Sequence, residues 1–274
     1  MRPVSLILEK PLAFVWRDFI EDTSYKLSFL MQFLSIFIST SMFYFFSKLL
    51  GDAGSSHLKP YGGDYFSFVL IGVAFYSYLG VSMKSLSDTI REGQMLGTLE
   101  ALLLTQTEIP TIIISSSLYS FIWASFKVAV YLLLGAYAFG VNLGNANLIG
   151  AAIFLMLTII SFGSLGIISA SFVMVLKRGD PVNWIFSSVS GLIGGLYYPV
   201  SVLPDWLQSF SYLLPVTYAL EGMRLAVLKG YSVSELLPNI LALTLFSIIM
   251  LPLSIMIFRY AVKKAKKDGT LTQY

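Results

Sequence analysis

The 274-residue sequence contains no cysteine and a single histidine, His57. No disulfide framework can form, and the usual ligand sets for zinc or iron–sulfur centres are missing. Charge is scarce as well: Asp, Glu, Lys and Arg make up 12% of the chain, about half of what a soluble domain of ordinary composition carries. No G-x-x-x-x-G-K-[ST] run occurs, so the chain has no P-loop with which to hold a nucleotide. G-x-S-x-G and H-E-x-x-H are absent too, and one histidine is too few for most hydrolases. These gaps argue against an enzyme, and nothing suggests a nucleic-acid partner. The long apolar runs hold no paired carboxylates, which argues against a proton-coupled carrier built on intramembrane acids. Uphill transport by such a chain would draw its energy from a partner.

What the chain has in abundance is apolar sequence in long blocks. Hydrophobic residues make up 56% and the mean hydropathy is +0.77. Lipid is the solvent that suits this, because an outward-facing Leu or Phe costs nothing there. A helix needs about 20 mostly apolar residues to cross the hydrocarbon core. Six runs meet or approach that length: 27–49, 65–86, 109–139, 148–176, 181–200 and 236–260. The fifth is short, rich in Gly and Ser, and ends at Tyr198-Pro199. The sequence before Glu21 lacks an apolar core followed by a cleavage site, so the first run is expected to remain as a signal-anchor.

Basic residues set the expected orientation. Lys10, Arg17, Lys26, Lys84, Arg91, Lys177, Arg178 and the cluster Arg259–Lys267 fall on one side, against Lys48, Lys59, Arg224 and Lys229 on the other. The positive-inside rule then places both termini in the cytoplasm of a multi-pass plasma-membrane protein, with 261–274 as a basic tail. The expected fold is an all-α membrane protein forming one transmembrane domain over 1–274.

Three further segments complete it. Residues 4–26 carry Leu8, Leu12, Val15, Trp16 and Phe19 at helical spacing with Lys10, Arg17 and Asp18 between them, the pattern of an amphipathic interface helix. Residues 87–108 form the longest inner loop, where Thr98 can cap a short leucine-rich helix. Residues 197–230, with Pro199, Pro204 and Pro215 among many aromatics, suggest two short helices in a re-entrant outer hairpin. There Asp205 reads as a helix cap, and Glu221 and Arg224 are spaced to form an ion pair on one face. Lys127 is the one charge deep in a run; it is either a functional cation or a snorkelling one.

Two stretches carry a family likeness. Glu92-Gly93, then Gly97-Thr98-Leu99-Glu100-Ala101-Leu102-Leu103-Leu104-Thr105 and Pro110, resemble the E-G-T-L-E-x-L-L-x-T-P pattern of ABC-2 type transporter permeases. The outer run Gly195-Leu196-Tyr197-Tyr198-Pro199, with Leu203-Pro204-Asp205-Trp206-Leu207, is similar to that family's G-x-x-[FY]-P-x-x-x-[LM]-P-x-[WY]-[LM] signature. The stretch from Pro215-Val216-Thr217 to Glu221 and Arg224 continues it, although Leu214 stands where many relatives have Asn. The resemblance implies a permease half-transporter of a prokaryotic ATP-binding-cassette exporter. It would pair with a second permease, identical or different, and dock two ATPase subunits that hold ATP and Mg. Glu92, Gly93, Gly97, Thr98, Leu99, Glu100 and Leu103 would then form the coupling helix. Tyr197, Tyr198, Pro199, Pro204, Glu221 and Arg224 would form the outer gate, and Phe75, Tyr76 and Lys127 would border the pathway. The expected cargo is an amphipathic small molecule, drug or lipid, with a polysaccharide or lipid-linked glycan as the alternative. A stand-alone channel or secondary transporter is the rival outside the family.

Overall fold

The computed structural model describes residues 4–51, 55–97, 109–176 and 179–268, and these contain helices and no strand. In chain order they are α1 (Val4–Ser24), α2 (Lys26–Leu50), a single turn α3 (Ser55–Leu58) and α4 (Tyr65–Met95). Then follow α5 (Ile109–Phe139), α6 (Leu148–Leu176), α7 (Pro181–Ile193), α8 (Asp205–Ser211), α9 (Pro215–Leu228) and α10 (Leu237–Lys267). Among the described residues, five stretches are long and apolar enough to cross a membrane: α2, α4, Ser117–Phe139 of α5, α6 and α10.

The run expected to span at 181–200 is not one helix. It stops at Ile193, and Gly195 takes a left-handed φ of +81°, a conformation that only glycine adopts at low cost. Thirteen residues of α7 rise about 20 Å, against a hydrocarbon core of about 30 Å. The second and last runs are longer than expected. Each is a 31-residue helix, ending at Met95 and Lys267. The cause is packing: Leu86 and Ile90 of α4 share a core with Val173 and Met174 of α6 and with Ala261, Val262 and Ala265 of α10. Protein contacts thus carry the helices on past the expected span ends.

Pairwise contacts fix the directions. Gly135 of α5 lies on Leu70, and Phe121 meets Tyr78, so α5 runs antiparallel to α4. Tyr44 of α2 meets Phe139 at the far end of α5, while Gln32 meets Trp123, so α2 and α5 are parallel. Gly166 of α6 sits against the carbonyls of Ser82 and Met83, and Gln94 bonds to Met174. Helices α4 and α6 are therefore parallel, and a Cβ at Gly166 would come within 2.7 Å of backbone oxygen. Gly150 beside Leu236, Ser161 bonded to Ser247, and Met174 packed with Val262 make α6 and α10 parallel as well. The chain must consequently travel back along the bundle between Leu176 and Leu237. It does so through α7, α8 and α9 instead of one long helix.

One end of the bundle gathers α1, the starts of α2 and α5, and the ends of α4, α6 and α10. The opposite end holds the Gly140–Asn147 connection and the end of α9, tied by Asn147 to the carbonyls of Ala226 and Tyr231. α4 is the most buried of the five long helices, while α2 and α5 are the most exposed.

Candidate functional site: a broken helix and the far end of α4

A helix that ends inside a membrane leaves carbonyls without partners, and each must be satisfied by protein. At the end of α7 every carbonyl from Leu192 to Leu196 but that of Gly194 has a side-chain donor. The Tyr198 hydroxyl donates to Leu192, and Ser211 Oγ donates to Ile193 at 2.7 Å. Arg224 takes the next pair, Nη1 donating to Gly195 at 2.7 Å and Nη2 to Leu196 at 2.8 Å. Its Nε donates to the carbonyl of Phe68 in α4 at 3.1 Å. The guanidinium lies on the Phe68 ring, 3.5 Å from its centroid. Arg224 is 2% exposed, so a permanent charge is buried, and the negative end of the α7 dipole helps to hold it.

Gly72 creates the room for this contact. A Cβ there would come within 2.3 Å of Arg224 Nη2 and 2.7 Å of the Leu196 carbonyl oxygen. The expected Glu221–Arg224 ion pair is not formed. Glu221 is half-buried one turn earlier on α9, and Arg224 turns inward to the backbone instead. Helical spacing put the two residues on neighbouring rows, but the broken end of α7 offered the guanidinium more acceptors. Tyr61, in the connection before α4, lies edge-on to Phe68 at 5.0 Å. Burial, with Glu221 adding to it, pushes its phenol up to about 12, so Tyr61 stays neutral beside the arginine.

Other residues of the expected outer gate ring this centre. Tyr197 stacks on Phe43 of α2 at 5.9 Å. Pro199 precedes a short 3-10 turn over Val200–Val202, and Pro204 occupies the N-cap position of α8. Asp205 is therefore the first helical residue and not the cap. Its charge still favours the helix N-terminus through the dipole.

At the other end of α4, Glu92 is exposed, Gly93 is half-buried, and Gly97 closes the helix with φ +71°. Thr98, Leu99, Glu100 and Leu103 lie outside the described residues. Sequence reading missed what anchors this end. Gln94 is 2% exposed and donates to Met174 of α6 at 3.3 Å. Ser87 donates to Ser169 at 2.9 Å, and Ser169 donates to Asp180, which caps α7 by accepting the Asn183 amide at 3.0 Å. Polar residues in an expected inner loop look solvated, and only the three- and four-residue steps from Ser87 through Ile90 to Gln94 hinted at a buried helical face.

A family model described as ABC-2 type transporter matches residues 12–228, most of the chain. The chain belongs to the ABC-2 type transporter family. It is also similar to the linearmycin resistance permease protein LnrN of Bacillus subtilis (strain 168), with 24% identity over 161 residues. That match takes in 58% of this chain and 41% of the relative, so the chain spans less than half of the relative's length.

In this ABC-2 chain the expected pathway residues separate. Phe75 is 1% exposed and stacks on Tyr78 in the main core. Tyr76 lies on the seam between α4 and α7, its hydroxyl donating to the Ser187 carbonyl at 2.8 Å. Lys127 joins neither: it lies over Trp123, which packs against Phe29 and Phe33 where α2 meets α5.

Proposed function

We propose that this chain is the permease subunit of an ATP-driven exporter in a cell membrane, working with separate ATP-binding subunits and a second permease. Family membership supports the transporter reading, and the absence of a P-loop supports placing ATP and Mg on another chain. The chain itself would do no chemistry. Its cargo is proposed to be an amphipathic small molecule, drug or lipid, in keeping with a relative whose name describes resistance. An exported glycan is the alternative within the family.

The observation that carries the mechanism is the continuity of α4. One unbroken helix has Glu92 at its inner end and the Arg224-bonded carbonyl of Phe68 near its outer end. When ATPase subunits close, a push at Glu92–Gly97 would travel along this packed rod as a rigid-body shift. It would reach the end of α7 through Arg224, and the entry of α7 through the Ser87–Ser169–Asp180 chain. The re-entrant α8–α9 segment would then open as an exit on the outer side. Both termini would be cytoplasmic, and the return of the chain through α7, α8 and α9 would count as a sixth crossing.

The test is co-purification with the proposed ATPase. The wild-type chain should retain it, and Glu100→Arg should lose it while keeping the fold. If the wild-type chain never holds an ATPase, or if ATP hydrolysis by the complex ignores a panel of amphiphiles and glycans, the exporter reading falls.

A further inference from the structure

The cleft between α2 and α5 is lined by aromatic and polar groups in register. Tyr119, Trp123 and Lys127 stand one turn apart on α5. Tyr119 donates its hydroxyl to Asp22 at 2.7 Å, and the Trp123 indole donates to Gln32 at 3.0 Å. Phe33 closes the wall, 6.2 Å from the Trp123 ring and 6.1 Å from that of Phe126. Tyr119 and Trp123 spend their donors on Asp22 and Gln32, whereas the Lys127 ammonium has no anion in direct contact and feels the Asp22 carboxylate only at a distance. Among the described residues Lys127 forms no ion pair or hydrogen bond; its Nζ lies 5.7 Å from the centre of the Trp123 ring. Phe126 is 47% and Leu30 63% exposed, so the cleft opens onto the surface that lipid would cover.

Depth and direction say what should meet this charge. Lys127 lies two turns, about 12 Å, further along α5 than Tyr119. Side chains on a helix tilt toward its N-terminus, and the N-terminus of α5 is at the end of the bundle that holds the chain termini. Lying over Trp123, the ammonium reaches back about one turn toward that surface, as a snorkelling lysine does. A cation without a direct ion pair within the apolar zone is costly, and an anion at headgroup depth removes the cost. Trp and Tyr beside it are the side chains that favour the interface.

We propose that the cleft beside Lys127 is a binding site for the phosphate headgroup of an anionic glycerophospholipid, drawn from the leaflet on the side of the chain termini. Lys127 supplies the charge, Trp123 and Phe126 bear on the upper acyl chain, and exposed Lys26 at the start of α2 faces the same interface. The proposal rests on the membrane-spanning reading alone and is independent of the ATPase and of the exported cargo.

The test is native mass spectrometry of the full chain from nanodiscs of mixed phosphatidylcholine and phosphatidylglycerol. The wild type should retain phosphatidylglycerol preferentially, and Lys127→Met should lose that preference by about tenfold, the scale of one to two charge contacts near a membrane surface. Lys127→Arg should keep the preference, which separates lost binding from lost folding. Lys84→Gln, an equal charge change on an exposed part of α4, should leave it unchanged, as should excess inorganic phosphate. In nanodiscs carrying brominated phosphatidylglycerol, Trp123 fluorescence should be quenched more in the wild type than in Lys127→Met. Equal retention of both lipids by the wild type, or undiminished preference in Lys127→Met, would overturn the site. Loss of bound lipid to inorganic phosphate would overturn the choice of a lipid over a free anion.

Discussion

Arg224 shows how a buried charge is made tolerable by backbone. Its three nitrogens meet three carbonyls drawn from two distant parts of the chain, Phe68 and Gly195–Leu196. Arg224→Ala would leave these acceptors dry and is expected to destabilise the protein by about 3 kcal/mol or more. Arg224→Lys should recover little, because one ammonium cannot reproduce a planar fork of donors. Gly72→Ala should cost about 1–3 kcal/mol through overpacking against that same guanidinium. The pair Gly72→Ala with Arg224→Ala should therefore be less harmful than the sum of the two. Thermal unfolding in detergent, followed by tryptophan fluorescence, measures all four. Strict additivity would mean that Gly72 serves some other contact.

At the scale of elements, the short helix α7 is the unusual one. Its own N-cap Asp180 holds its start, and Arg224, Ser211 and Tyr198 hold its end. A free helix of this length is marginal in water, so its caps and packing carry its stability. Asp180→Ala should cost about 0.5–2 kcal/mol, the ordinary range for a lost N-cap. Asp180→Asn should cost less, since an amide oxygen still accepts the Asn183 N–H. If hydrogen exchange at the α7 amides is unaltered in Asp180→Ala, the cap is not what holds the helix. The long helix α4 differs: its buried face continues from Phe68 to Gln94, so it behaves as a strut and not as a chain of separable turns.

For the whole molecule, the parallel course of α4, α6 and α10 puts the ends of these helices and α1 at one face of the bundle. A chain without cysteine makes sidedness easy to measure. Single cysteines at Ser56 and Ser234 should react with an impermeant maleimide on intact cells. One at Lys267 should react only after permeabilisation. Labelling of the Lys267 position on intact cells would reverse the proposed orientation, while unlike behaviour of Ser56 and Ser234 would contradict the helix directions.

The solvent of this protein was legible in its residues. Hydropathy and charge are local sums, so apolar runs and basic flanks put the starts of five expected helices within one residue of where they lie and marked the other run, 181–200, as irregular. The motifs at Glu92–Thr105 and Gly195–Arg224 carried the family for the same reason, since each is contiguous in sequence. What the sequence could not decide were meetings between distant residues. The partner of Arg224 depended on where α7 breaks and on Gly72 leaving room, three positions separated by many turns of helix. The length of α4 and α10 depended on a shared core near Met174, and the place of Lys127 over Trp123 on which helix faces which. Composition determined that the chain would live in lipid; only tertiary packing decided which buried polar groups would find protein partners, as Arg224 does at the end of α7.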